Sequence, residues 1–442
     1  MNTEDLKTIA QIGNFSGADV PSYDLLIHCM RCGLCLSVCP TYAIFNQEKA
    51  SPRGRLALIR AVSEERLDVS EGFGDAMNLC VGCLACQTAC PAGVDFGHLL
   101  ESARQQSEDA TKQRRPAIFN RFKDFLVRKV VNSPHGLEPL MPLLRFYQKI
   151  GLPKLNLARI IPGPLGDWEK MMPDLADKSI HKELGEFVPA DISSGPLRGR
   201  VGMLTGCLEN TLIAEMGKAT IRVLAKNGFD VVFPKEQVCC GALPAHIGEL
   251  DLAREHARQN IDTFETAGVD YVISDAAGCS AQLKEYGHLL ADDENYRERA
   301  KAFSKKARDV TEFLAEIMPL RGEMQPLNLK VTYDDACHLL HGQGIHLEPR
   351  EVIQSLPGLE FVELPESDWC CGSGGTYNLT HVPESNILLD RKIENVRKVD
   401  PDVLATANTG CFIQLAAGVK KHKLDVEVLH MVQLVDRAYG KK

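Results

Sequence analysis

The chain has 442 residues, 44% apolar and 25% charged, with a formal net charge of −9. That length allows two or three domains with cores of their own. The composition excludes a disordered chain or a membrane bundle, and the acidic excess argues against nucleic acid as a partner. No apolar run approaches the ~20 residues that a spanning helix needs. The opening "MNTEDLKTIAQIG" has no basic n-region, apolar h-region or twin arginines, so the expected location is cytoplasmic.

Sixteen cysteines need a use other than disulfides, because the cytosol keeps thiols reduced. Eight of them fall in one phrase written twice, "CMRCGLCLSVCP" at 29–40 and "CVGCLACQTACP" at 80–91, both spaced C-x2-C-x2-C-x3-C-P. A [4Fe–4S] cube takes a thiolate at each iron, and in two-cluster ferredoxins the fourth cysteine of such a run ligates the other cluster. The expected sets are therefore Cys29, Cys32, Cys35 and Cys90 for one cube, and Cys80, Cys83, Cys86 and Cys39 for the other. Gly33 and Gly82 suit close approach of backbone to a cluster. Zinc also accepts four thiolates, but zinc ribbons offer separate C-x2-C pairs and not a run of three followed by Cys-Pro.

Between the phrases, "PRGRLALIRAVSEE" places Leu56, Ile59 and Val62 on one helical face, with Pro52 near the helix start. Residues 1–110 are thus expected to form an α-helical two-cluster ferredoxin. Arg53 and Arg55 could offset cluster charge, or simply begin a solvated helix.

Residues 111–198 read as a connecting segment. Positions 112–129 hold seven basic side chains against the single Asp124, with Ile118, Phe119, Phe122, Phe125, Leu126 and Val130 on one helical face. Such a face packs on a core, docks a partner subunit, or lies on an anionic membrane. Residues 133–198 carry nine of the 23 prolines, so "LEPLMPLLRFYQKIGLP" cannot be one straight helix.

The remaining eight cysteines form two matching sets. Cys207, Cys239, Cys240 and Cys279 occupy residues 199–325; Cys337, Cys370, Cys371 and Cys411 occupy 326–442. An offset of 130 residues between Cys207 and Cys337 marks a duplicated unit. Strands are expected at 200–206, 230–233 and 271–275, with helices at 212–226 and 253–264 between them. The second copy repeats the strands at 330–334, 360–364 and 402–407. This alternation implies parallel α/β sheets, giving an α+β and α/β multidomain chain. Each cysteine position follows a strand end, where open α/β sheets bind ligands. Four thiols per repeat could thus meet at a further iron–sulfur cluster or at zinc.

The doubled phrase followed by two Cys…Cys-Cys-Gly…Cys repeats resembles a family of iron–sulfur oxidoreductase subunits. Its members serve glycolate oxidase, lactate utilisation, anaerobic glycerol-3-phosphate dehydrogenase and heterodisulfide reductase. "SPRGRLALI", "GCSAQLKEYGHLL" at 278–290, "CCGSGGTYNLTH" at 370–381 and "ATANTGC" at 405–411 look like the glycolate oxidase branch. Gln282 and Gln414 stand where the heterodisulfide branch has a last cysteine, which disfavours a five-cysteine cluster. The resemblance implies an electron relay, with an FAD-containing subunit oxidising a 2-hydroxy acid and a quinone or other acceptor downstream. A self-contained quinone or disulfide reductase is the alternative, and contact with the inner face of the cytoplasmic membrane fits either. No catalytic residue is expected on this chain, and no G-x-G-x-x-G or Walker motif is present. His28, His338, His341 and His381 lie near cysteines and could tune a cluster or carry protons, although structural roles are commoner. Trp369 reads as packing.

Overall fold

The computed structural model describes residues 13–125, 128, 136–151 and 171–440. They divide into two compact units. One holds the described residues through Phe125 together with Leu243–Ala253; the other holds the rest.

The first unit is helical. Ser51 caps the helix Pro52–Ser63 by accepting from the Gly54 amide at 3.0 Å, and Pro52 takes the first turn, where its missing N–H costs nothing. This helix buries Leu56, Ile59 and Val62 against Phe73 and Met77 of Glu71–Asn78 and Leu99, Leu100 and Ala103 of Phe96–Arg114. Each larger side chain contributes roughly 1.5–3 kcal/mol of gross burial. Cys80 and Cys86 belong to the same apolar cluster, so the core itself fixes part of the thiol framework.

The amphipathic segment at 112–129 differs from expectation. Lys112 and Arg114 end the helix Phe96–Arg114, Pro116 follows, and a new helix covers Ala117–Phe125. Ile118, Phe119 and Phe125 are 74%, 65% and 57% exposed, so they do not pack on the core of the described residues. Phe122, Leu126 and Val130 lie outside the residues whose side chains are described. Further on, turns at 136–140 lead into the helix Met141–Lys149, consistent with the interruption expected from Pro139 and Pro142. Most of the remaining proline-rich stretch, 152–170, lies outside the described residues.

The second unit contains two sheets. Strands β1 (Phe187–Val188), β2 (Gly199–Met203), β3 (Phe229–Val232), β4 (Tyr271–Ser274) and β5 (Ala307–Asp309) run in the order β1-β3-β2-β4-β5. Strands β6 (Leu329–Asp334), β7 (Leu359–Phe361), β8 (Val403–Thr406) and β9 (Glu427–His430) run in the order β7-β6-β8-β9. Apart from the antiparallel β1 edge, all pairs are parallel. Without that edge the two sheets share one order: second strand, first, third, fourth. Val201 pairs with Val231 and Tyr271 in one sheet; Val331 pairs with Phe361 and Val403 in the other. One apolar cluster joins them, from Val201, Val231 and Phe313 to Tyr333, Leu404 and Val432. The duplication therefore folds as a single body, and each copy's cysteines follow its first three strands.

Candidate metal centres

All sixteen cysteines are free thiols. In both phrases the residues flanking the middle cysteine adopt left-handed backbone. Arg31 and Gly33 (φ 57° and 87°) bracket Cys32; Gly82 and Leu84 (φ 76° and 62°) bracket Cys83. One member of each pair is glycine and the other accepts the strain, so the same curl is encoded from opposite sides. A backbone curled in this way makes a concavity suited to an anion.

The two phrases enclose two spaces. One is lined by Cys29, Cys32, Cys35 and Cys90, with Pro52, Leu56, Val94 and Phe96 as its apolar wall. The other is lined by Cys39, Cys80 and Cys83, with Val81, Leu84, Phe96 and Arg55. Cys86 borders both. The first space thus takes Cys90 and the shared Cys86 from the second phrase, and the second space takes Cys39 from the first. Cys32 is exposed and Cys29, Cys35 and Cys90 half-buried, whereas Cys39, Cys80, Cys83 and Cys86 are buried. Burial pushes Cys35 and Cys86 above the usual thiol range, and Cys80 and Cys39 beside Cys86 push it further. Clustered thiols of this kind ionise readily only when a metal takes the charge. Among the described residues no three His, Cys, Asp or Glu side chains close on a single ion position. The thiols ring a space, and that arrangement fits a multi-iron body.

Backbone around the buried set is held by two arginines. Arg104 donates to the carbonyls of Met77 and Cys80. Arg55 donates to those of Ala50 and Ala76.

In the repeats, loops after three strands bring four thiols together. Cys240 Sγ lies 3.0 Å from Cys279 Sγ, and Cys207 and Cys239 continue the chain of sulfur contacts. Cys337, Cys370, Cys371 and Cys411 form the matching chain. Backbone amides aim at sulfur in both: Gly241 to Cys239 and Ala242 to Cys240 at 3.5 Å, Gly372 to Cys370 at 3.4 Å. Gly372 has φ +88°, and a Cβ there would meet Ser385 O at 2.6 Å, so no side chain could replace it without moving the loop. The Gly-rich run at 372–375 therefore serves the thiol loop.

The two quartets differ in their polar surroundings. In the first, contact with Cys239 and burial raise Cys207, and burial lifts Cys279 to about 11 although Cys240 donates to it. Glu209, two residues on, is buried against Asp275, and burial together with that carboxyl raises it strongly. In the second, donation from Cys370 and Cys411 pulls Cys371 down, with the Ser373 amide and the Lys392 ammonium adding to the effect. Asn408 also donates to Cys411 Sγ at 3.4 Å.

Lys392 and its counterpart escaped sequence reasoning. Lys392 is the tenth residue after Val382 in Val382–Val399, and Asn260 the tenth after Leu250 in Leu250–Thr266. Lys392 Nζ donates to the carbonyls of Glu366 and Ser367 at 2.8 Å and sits 2.9 Å from Asp334. Asn260 accepts from the Val238 amide at 2.9 Å and donates to the Cys239 carbonyl at 3.1 Å. Both grip the turn that delivers Cys-Cys-Gly, and only an alignment of the repeats would have revealed them. Of the histidines, His28 is exposed, His341 is lowered by burial, and His381 stacks on Tyr377 at 4.6 Å. Trp369 lies under the Arg391 guanidinium at 3.7 Å.

A family described as "4Fe-4S dicluster domain" matches residues 26–94, and one described as "Cysteine-rich domain" matches 201–284 and 331–416. Together with the thiol geometry these define an iron–sulfur protein of the oxidoreductase-subunit class, with two [4Fe–4S] clusters in its ferredoxin part. "Probable glycolate oxidase iron-sulfur subunit" of Bacillus subtilis is 38% identical over 94% of this chain and 95% of its own length. "Glycolate oxidase iron-sulfur subunit" of Escherichia coli is 32% identical over 95% of each. "Lactate utilization protein A" of Geobacillus sp. is 30% identical over 54% of this chain and 99% of its own. The chain belongs to the family of glycolate oxidase iron–sulfur subunits.

Proposed function

We propose that this chain relays electrons from an FAD-containing subunit that oxidises a 2-hydroxy acid, glycolate in the first instance, to a quinone or another acceptor. The observation that carries the reading is the crossed lining of the two thiol-walled spaces, which supports Cys29, Cys32, Cys35 and Cys90 as ligands of one cube and Cys39, Cys80, Cys83 and Cys86 as ligands of the other. Bound there, such clusters supply one-electron transfer at potentials set by charge, hydrogen bonding and exposure. The chain's own contribution is positional. The left-handed turns around Cys32 and Cys83 curl the backbone toward each centre, Pro52, Leu56, Val94 and Phe96 wall off water, and Arg104 fixes the carbonyls at Met77 and Cys80. We read the modules as ferredoxin (1–110), connector (111–198) and repeats (199–325 and 326–442). Cys207, Cys239, Cys240 and Cys279, and Cys337, Cys370, Cys371 and Cys411, would each hold a further iron–sulfur centre or zinc.

No helix among the described residues is long and apolar enough to cross a membrane. We place the chain in the cytoplasm, with exposed Ile118, Phe119 and Phe125 docking the flavin subunit near the inner membrane face. Anaerobic purification with the co-purifying flavoprotein, then iron and sulfide analysis, tests the reading. About eight irons in the ferredoxin part and reduction of the chain's centres by glycolate through the flavoprotein are expected. A chain without iron–sulfur absorption after reconstitution would overturn it. Lactate reducing the centres where glycolate does not would move the assignment to the lactate-utilising relatives.

A further inference from the structure

Arg55 is fully buried, at 0% exposure, in the first turns of the helix Pro52–Ser63. Its guanidinium donates to Ala76 O at 2.8 Å, Ala50 O at 2.9 Å and Thr41 Oγ1 at 3.1 Å. All three acceptors are neutral. Among the described residues no carboxylate pairs with it. Three other deeply buried cations are matched by carboxylates: Lys218 faces Glu183 and Glu215, Arg350 faces Asp335 and Glu363, and Lys392 faces Asp334. A guanidinium cannot shed its proton, so an interior site must balance the charge or bear a large desolvation cost.

The missing counter-charge lies in one direction. Arg55 lines the inner space together with Cys39, Cys80, Cys83 and Cys86. Thr41 Oγ1, which it holds, is 3.4 Å from Cys39 Sγ, and Ala50 O, which it also holds, is 3.7 Å from the same sulfur. Arg53, two residues earlier, borders the outer space but is chelated by Glu48 at 2.7 and 3.1 Å and so is already neutralised. The inner site therefore has an uncompensated buried cation and the outer site a compensated, half-exposed one.

We propose that Arg55 is the built-in counter-cation of the centre held by Cys39, Cys80, Cys83 and Cys86, and that it raises that centre's reduction potential. The proposal rests on the ligand assignment above. One-electron reduction adds a negative charge to the cluster. A fixed positive charge beside it in a poorly polarisable interior favours the reduced form. Arg55 acts as a positioning residue, since it reaches the cluster's surroundings through Thr41 and the Ala50 carbonyl.

The test is an EPR-monitored redox titration of the reconstituted full chain. Arg55→Gln should lower the midpoint of one ferredoxin centre by at least a tenfold change in its reduction equilibrium, 59 mV for one electron, and leave the other in place. Arg55→Lys should recover most of the shift. At full iron content, no movement, equal movement of both centres, or Arg55→Lys behaving like Arg55→Gln overturns the proposal. If Arg55→Gln loses iron, recovery of iron and potential by Arg55→Lys supports it, and no recovery overturns it. Cys83→Ser must perturb the same signal that Arg55→Gln moves. If Cys83→Ser leaves iron, sulfide and both signals unchanged, it is the ligand assignment that has failed.

Discussion

The two Cys-Cys-Gly repeats share strand order, loop positions and amide-to-sulfur geometry, yet they solve the same polar problem with different chemistry. The first grips its thiol turn with neutral Asn260, the second with the Lys392–Asp334 ion pair. The fourth strand of each ends in a helix cap, Asp309 in one and His430 in the other, both completing a capping box. Duplication has preserved what the backbone must do and left charge free to diverge. Two matching thiol quartets thus sit in unequal fields.

The strongest way to break this comparison is to remove a thiol from each copy. Cys240→Ser and Cys371→Ser should each abolish metal binding in their own repeat while both ferredoxin EPR signals persist, as metal analysis on the anaerobic chain would show. Loss of metal from both repeats with either variant would mean that the copies are not independent sites. Next in size is the grip itself. Lys392→Met leaves Asp334 buried without its cation and should destabilise the second unit by ~3–5 kcal/mol. Asn260→Leu, which removes only neutral hydrogen bonds, should cost ~1–3 kcal/mol. Denaturant midpoints measure both, and the double variant Lys392→Met/Asp334→Leu should regain most of the larger loss.

The caps should give pH slopes of opposite sign. Burial raises Asp309 from 3.8 to about 6, so its stability contribution is intact below pH 3.8 and lost as pH rises through 6. That loss is ~3 kcal/mol. Burial lowers His430 below 6.5, so its contribution is intact above pH 6.5 and lost as pH falls through the depressed value. Asp309→Asn should flatten the first slope and His430→Gln the second, measured as unfolding free energy against pH. The smallest effect belongs to the position before the grip. Arg391→Ala gives up the stack on Trp369 and a half-exposed pair with Glu366, about 0.5–1 kcal/mol. Gln259→Ala gives up one bond to Glu236 O at 2.7 Å and should cost no more.

Much of this was legible in the primary structure. The spacing predicts that each run of three closes on the other phrase's fourth cysteine; Cys90 lines the space of the first run and Cys39 that of the second, with Cys86 on both walls. Apolar runs such as "VGML" and "VLATA" anticipated strands, since central parallel strands are buried on both faces. The fourth strands, "ARD" at 307–309 and "EVLH" at 427–430, are short and polar and gave no such signal. Pro116 marks the break in the basic segment, but the apolar periodicity that runs across it hides the boundary. Lys392 and Asn260 read as the solvent face of amphipathic helices, because a buried polar residue becomes visible only when its partners are known. Arg55 is half legible: the sequence places it beside Arg53 at a helix start, but only burial separates the two.

The crossed lining of the two ferredoxin spaces also constrains biosynthesis. Cys39 waits on a wall that is not translated until Cys83 and Cys86, and the outer wall is complete only with Cys90. A nascent chain halted anywhere between the two phrases would therefore have no finished cradle to offer a cluster carrier. On the proposed ligand assignment, delivery of both cofactors follows emergence of the second phrase from the ribosome.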